Sequence, residues 1–488
     1  MTATDKKLFE EYPKSTPFLD EVFGLNATTN AAYAKLVEYF DDFNLNEFKV
    51  LNDYTKKSFL TRGITFATYN ENPRGVERIF PFDLMPRLIS KSEWKEIETG
   101  LIQRAKAINA FLEDVYNGQE ILKAGLVPEK LITSSVNFVK AMRDFKPAGG
   151  IYTHISGTDL IRHSDGHFYI LEDNVRCPSG VSYVLANREA LKKSLSQLFT
   201  QYNVSSVSEY PAALLSVLRS VTPKHVDNPV CVVLTPGSFN SAYYEHTFLA
   251  QTMGVPLVEG NDLFVENDFV YMKTVYGPKR VDVIYRRIDD AFIDPEVFRE
   301  DSVLGIPGIM RAYRKHNITL VNAPGTGVAD DKAVYAFVPD FIRFYLKEEP
   351  ILRNVPTYRC GEPEDCKYVI DNLKDLVVKP VDQSGGYGIF IGKTATEEEV
   401  EEQKALILGD PREYIAQPIM NLSVHSTFIE GKNKFEPRHI DLRAFTLMGK
   451  GVEYVLAGGL SRVALKEGSL VVNSSQGGGS KDTWIFED

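Results

Sequence analysis

Long apolar runs are missing from this 488-residue chain; none approaches the ~20 residues that span a bilayer. Cationic excess is missing too. With 55 Lys and Arg against 66 Asp and Glu, the net charge of −11 argues against a nucleic-acid binder, which needs clustered cations to neutralise phosphates. Cysteine is scarce: Cys177, Cys231, Cys360 and Cys366 are scattered. None sits among enough sulfur or His ligands to suggest zinc, and reduced thiols are expected. The opening residues, MTATDKKLFEEYPK, carry acids and no apolar core, so a secretory signal is not expected and a cytoplasmic location is. No GxSxG elbow, Cys/His pairing signature, internal repeat or low-complexity tract occurs. What remains is a chain of ordinary globular composition, long enough for two or three domains.

Apolar residues at three- and four-residue spacing predict helix in AAYAKLVEYFDDF and over 92–116. In the second, Trp94, Ile97, Leu101, Ile102, Ala105, Ile108, Phe111 and Leu112 form a core-facing stripe. Between them, GITFATYN and ERIFPFDLMPRLI have strand and turn character. At Val230 a βαβ pattern begins: the apolar CVVLTPG, a helix pattern in SFNSAYYEHTFLAQTMG, then VPLVEG, which predicts a parallel sheet. VDVIYRRID (281–289) and ITLVNAPG (318–325) continue it. The Pro-rich, polar 348–365 reads as a linker. Three units follow, over 1–225, 226–350 and 351–488.

Lys379 ends the apolar strand of VVKP and precedes the loop DQSGGYG. Gly385, Gly386 and Gly388, around Tyr387, let backbone N–H groups approach phosphate oxygens that a Cβ would block. No GK[ST] follows and the chain resumes as strand, so this is a flap between strands and not a P-loop; Gly-rich hairpins are also common without any ligand. Gln417, Pro418 and Ile419 end the strand of YIAQPIM, where backbone polar groups can pair with an adenine edge, or simply close an edge strand. In ILEDNVRCPSG, Glu172 and Asn174 share one strand face. Asp159 lies on the other strand of the hairpin. Three oxygen ligands there suit Mg²⁺ bridging phosphates, the alternative being a hydrogen-bonded structural cluster. Arg176 has the same parity and can touch phosphate or pair with an acid. Asp441 and Arg443 share a face of HIDLRAF; Arg462 lies on a second strand and Asn473 before the SSQGGG turn. An arginine over a transferring phosphoryl group stabilises its charge, although any of these can be a structural ion-pair partner. For an anionic acceptor, Arg78, Arg87, Arg286 and Arg287 are candidate carboxylate clamps. Ser238 and Asn240 follow a strand where α/β sheets bind ligands.

Together these segments, with GVERIFPFDLMPR, VVLTPGSFNSAYYEH, VADDKAVYAFVPD and GGLSRVAL, resemble the circularly permuted ATP-grasp family, akin in its metal site to glutathionylspermidine synthetase-like ligases. Joined tail to head, 377–484 and 157–180 restore the usual ATP-grasp order. The resemblance implies an α/β (α+β) fold with a Rossmann-like pre-ATP-grasp domain over 226–350. The metal-binding half and a helical region would occupy 1–225, and the ATP-binding half 351–488. It implies ATP held by Lys379 and Lys332 with Gln417, Pro418 and Ile419 as the adenine hinge, and Mg²⁺ on Asp159, Glu172 and Asn174. Arg443 or Arg462 would face the γ-phosphate. The activity implied is carboxylate–amine ligation through an acyl phosphate, releasing ADP and phosphate, with a small-molecule or peptide carboxylate and an amine as partners. A phosphotransferase and a non-catalytic nucleotide-binding partner protein are the alternatives.

Overall fold

The computed structural model describes residues 7–13, 16–24, 28–68, 76–223, 226–383, 388–472 and 477–488. Its largest element is a nine-stranded sheet in the order Arg353–Asn354, Phe168–Asn174, Ile155–Arg162, Lys434–Gly449, Leu460–Val463, Gly479–Phe486 and Phe82–Ser90. Strands Val424–Ile429 and Val452–Val455 pair with the two ends of Lys434–Gly449. That strand pairs in its middle with Ile155–Arg162 on one side and Leu460–Val463 on the other. Segments from the two halves of the chain thus form one surface.

Helix Lys91–Tyr116 covers one part of this sheet, and the Ser90 side chain accepts from the Glu93 amide at its N-terminus. Its expected stripe is inside. Trp94, Ile97 and Leu101 pack with Leu160, Ile170 and Leu442, each such side chain contributing roughly 1.5–3 kcal/mol. Nearly three turns further on, the same helix leaves the sheet, and Phe111 stacks on Phe341 at 4.0 Å in the core of the next unit.

That unit is the expected parallel sheet, in the order Thr319–Val321, Val283–Arg286, Cys231–Leu234 and Leu257–Val258. Helix Tyr243–Met253 makes the first crossover and stops at Gly254, whose φ of +68° suits a residue without Cβ. A three-stranded meander, Leu263–Glu266, Phe269–Met272 and Lys279–Val281, is inserted before the third parallel strand.

A small antiparallel sheet, in the order Tyr358–Arg359, Tyr414–Pro418, Leu376–Pro380 and Phe390–Ile391, packs on helices Pro363–Asp371 and Glu397–Gly409. Two expectations need correction here. The unit expected over 351–488 is shared between two sheets, because Val424 onward pairs with the large one. The stretch expected as a linker, 348–365, is structured: the Val355 amide donates to Ile170 O at 2.9 Å, and Gln103 binds the backbone of Glu349 and Ile351. Paired amides and a buried Val355 outweigh a polar, Pro-rich composition.

N-terminal helices Ala34–Asp41 and Leu45–Thr61 bring Phe40 and Phe48 onto Phe428, Phe435 and Trp484. All four cysteines are free thiols. Among the described residues no helix is long and apolar enough to cross a membrane.

Candidate active site

Residues directly opposed on neighbouring strands share a face. Asp159 stands opposite Glu172 on one side and Arg443 on the other, and Asp441 stands opposite Arg462. Pairing period therefore collects five charged side chains into one patch, from strands distant in sequence. Register slips by one just beyond Asp159, where Leu160 faces Ile170, and both Leu171 and Glu172 reach the same cleft.

Within the patch, Arg443 grips Asp159 with both ends of its fork, Nε to Oδ1 at 2.6 Å and Nη2 to Oδ2 at 2.8 Å. Arg462 Nη2 donates to Asp159 Oδ2 at 2.7 Å and its Nε to Asp441 Oδ1 at 2.9 Å. Burial pushes the Asp159 carboxyl up, yet the two guanidinium groups overrule it and hold it well below the usual carboxylate range. Glu172 is looser. Its nearest cations, Lys332 and Arg443, are each 3.9 Å away.

The small sheet forms the opposite wall. Lys379 comes from Leu376–Pro380 and is buried; its Nζ donates to Gln417 Oε1 at 2.7 Å, and Gln417 Nε2 to Thr357 Oγ1 at 3.0 Å. Burial, with Lys332 adding repulsion, pushes its ammonium down to about 8 against the pull of Glu172 and Asp159. Lys332 opens the short helix Lys332–Tyr335, where Asp331 accepts from the Ala333 amide. Its Nζ donates to Gln383 O and its amide to Val381 O. Lys379, Lys332, Gln417, Pro418, Glu172, Asp159, Asp441 and Arg462 line one cleft, with Ile161, Val377, Ile391 and Met420 as apolar walls. The apolar walls were missed from sequence; the only signal for Met420 was its place just after the strand of YIAQPIM.

Other expected residues go elsewhere. Ile419 is outside the wall, its amide donating to Asp375 O at 3.3 Å. Gly388 has φ +69°, and a Cβ there would meet Pro380 Cγ at 2.9 Å. Gly385, Gly386, Tyr387 and Asn473 lie outside the described residues. Arg176 turns to Asp330 (2.5 Å) and Asp289 (3.2 Å). Three of the proposed carboxylate clamps are internal instead. Arg87 holds Glu21 with two bonds and Asp441 O with a third. Arg286 donates to the carbonyls of Asn322, Ile288 and Ala323 and pairs with Asp290. Arg287 binds Pro178 O, Tyr285 and Glu245. Arg78 sits exposed on Val76–Ile79 opposite Phe66. Ser238 and Asn240 line a separate cavity with Arg62, Glu77 and Tyr244.

The donor set fits a nucleotide with a divalent cation. Lys379, Lys332 and Arg462 match Glu172, Asp159 and Asp441 in number along the cleft, and Arg443, paired with Asp159 and 3.9 Å from Glu172, adds a fourth cation beside it, which favours a polyanion. Among the described residues no cation lies closer than 3.9 Å to the Glu172 carboxylate. Asn174 Nδ2 donates to Gly157 O at 3.2 Å, which leaves its Oδ1 as an acceptor beside Glu172. Hard oxygens on one strand face suit Mg²⁺. Asp159 already accepts three bonds from two arginines, which leaves Oδ1 the freer oxygen for such an ion.

Sequence comparison accords with this geometry. Residues 86–464 match the family described as circularly permuted ATP-grasp type 2, and the chain belongs to that family. An uncharacterized protein of Synechocystis sp. is 49% identical over 96% of this chain and 97% of its own length. A Frankia casuarinae protein provisionally named glutamate–cysteine ligase 2-2 is 42% identical over 87% of this chain but only 48% of its own. In structure, a glutathione synthetase-like effector of Globodera pallida superposes with a TM-score of 0.55 at 11% identity, covering 89% of this chain and 96% of that one. At that identity the likeness speaks for the fold alone. The circularly permuted ATP-grasp fold expected from the sequence is the fold of this chain.

Proposed function

We propose that the protein is an ATP-dependent carboxylate–amine ligase that forms a peptide or peptide-like amide through an acyl phosphate. The observation that carries this reading is the convergence of Lys379 and Lys332 over Glu172 and Arg462 in one cleft. Membership in a ligase-like ATP-grasp family supports ATP-dependent ligation in general. The Frankia name adds less, since that protein has about as much chain again outside the match.

In this reading the carboxylate oxygen takes the γ-phosphoryl group, ADP leaves, and the amine then displaces phosphate. No side-chain nucleophile is needed; positioning and charge neutralisation supply the catalysis. Lys379 and Lys332 hold the phosphates, and Gln417 and Pro418 border the base. Arg443 and Arg462 neutralise charge that spreads over the phosphoryl oxygens. Glu172 and Asn174 would hold Mg²⁺, which lends positive charge to the phosphates when bound. A cytoplasmic setting accords with four unpaired thiols.

Incubating the pure protein with ATP, Mg²⁺ and pooled amino acids and amines tests this by mass spectrometry. Amine-dependent release of ADP and phosphate with an amide mass is expected, and hydroxylamine should trap a hydroxamate. A phosphorylated product without free phosphate would make it a phosphotransferase. Binding without turnover would leave a nucleotide-binding partner protein, and AMP with pyrophosphate would replace the acyl phosphate by an adenylate.

A further inference from the structure

A second cavity, of about 410 Å³, opens where helix Leu45–Thr61 crosses the ends of the large sheet, and it shares no lining residue with the nucleotide cleft. Arg462 lines one and its neighbour Val463 the other. Cores pack with few voids larger than a water, and this volume lies within the range of small-molecule sites. Its interior is aromatic. Phe59 and Phe80 are almost wholly buried, Phe59 stacks on Phe82 at 5.3 Å and 15°, and Phe428 lines the same cavity.

The charged groups at its deep end make no polar demand. Asp83 accepts from the amides of Met85 and Phe428 and from Lys481. Lys481 also donates to Met85 O and Ser426 O. Its mouth differs. Asn52, Lys56 and Phe59 lie three and four residues apart, on one helix face. Asn52 is buried and its Nδ2 holds Glu430 Oε1 at 2.8 Å, while Lys56 pairs with the same carboxylate. Both partners are exposed by about half. A pair this exposed contributes little to stability, so exchanging it for a ligand's charges costs little. A zwitterion offers a carboxylate to Lys56 and an ammonium to Glu430 while its side chain enters the apolar interior. Edge-to-face contact with Phe59, Phe82 and Phe428 favours a ring there.

We propose that this cavity binds a free α-amino acid with an aromatic side chain, its head group held between Lys56 and Glu430. The site stands whether or not the ligase reading does. Calorimetry on the full-length protein without ATP, using L-phenylalanine, 3-phenylpropionate, phenethylamine and L-alanine, tests it. L-Phenylalanine should bind at least tenfold more tightly than each of the others. Glu430→Gln and Lys56→Gln change exposed residues and should each weaken it about tenfold with an unchanged melting temperature. Equal affinity for 3-phenylpropionate, or no effect of either variant, would reduce the site to an unspecific apolar cavity. Absence of L-phenylalanine binding at tens of millimolar would remove the site altogether.

Discussion

Two arginine pairs in this molecule look alike by ion pairing and differ in what surrounds them. Arg443 and Arg462 line the large sheet and pair with Asp159 and Asp441; Arg286 and Arg287 end a strand of the parallel sheet and pair with Asp290 and Glu245. In the second pair Arg286 is closed, while Arg287 keeps a buried Nε without a partner among the described residues, away from any cleft described above. Arg286 spends its donors on three backbone carbonyls, and Arg287 binds a carbonyl, a phenol and a carboxylate. The first pair keeps slack: Arg443 touches one carbonyl at 3.4 Å, and Glu172 stands 3.9 Å off. Ion pairing alone therefore does not set the candidate site apart. Unspent bonding capacity facing a cleft does.

The largest effect is expected where that slack is greatest. Glu172→Gln keeps the shape and removes a charge that no hydrogen bond among the described residues saturates. Mg²⁺-dependent turnover should fall about a hundredfold or more, since losing a ligand to a phosphate-bridging ion costs several kcal/mol of transition-state stabilisation. The melting temperature should hardly move. Steady-state rates at saturating Mg²⁺ beside a thermal melt check both halves; wild-type turnover would refute the assignment.

Next comes the contrast itself. Arg286→Met strips Asp290 of its cation inside the protein, and breaking a buried pair from one side costs about 3–5 kcal/mol. Urea unfolding should show that loss. Arg443→Met should cost the fold less, because Arg462 still holds Asp159, while lowering kcat more. If the two variants lose stability equally, the distinction between closed and slack clusters is wrong.

Much of the fold was legible because period and turn chemistry agree. The amphipathic stripe from Trp94 to Leu112 and the βαβ run from Val230 both formed as read. The candidate site's strand-borne residues were placed legibly, since alternation alone puts Glu172, Asn174, Asp441 and Arg443 on defined faces. Arginine partners were not. Nothing in YRRIDD says that Arg286 meets the carbonyls of Asn322 and Ala323, which the parallel sheet brings alongside. Composition misled at 348–365, where Pro and charge suggested a linker but Val355 is buried and Arg353–Asn354 pairs with the large sheet. Local sequence cannot report a strand partner nearly two hundred positions away.

The smallest effect concerns Lys379, a cleft cation that burial brings close to losing its charge near physiological pH. Burial lowers its ammonium from 10.5 to about 8, so between those values the unfolded chain holds a proton the folded chain has released. Stability from this group therefore rises with pH through that window, is fully present above about 10.5 and is fully lost once pH has fallen through about 8. Phosphate binding works the other way. A polyanion against Nζ restores the charge, and ATP itself is fully ionised well above its last phosphate pKa of about 6. At about pH 8.5 nucleotide binding should thus take up a fraction of a proton, and its affinity should weaken as pH rises further. Calorimetry in two buffers of equal pH and different ionisation enthalpy reads that uptake directly. Lys379→Arg stays charged throughout and should abolish the buffer dependence while keeping most of the affinity. An identical apparent enthalpy in both buffers for the wild type would mean that Lys379 is already charged in the open cleft, or that it does not meet the phosphates.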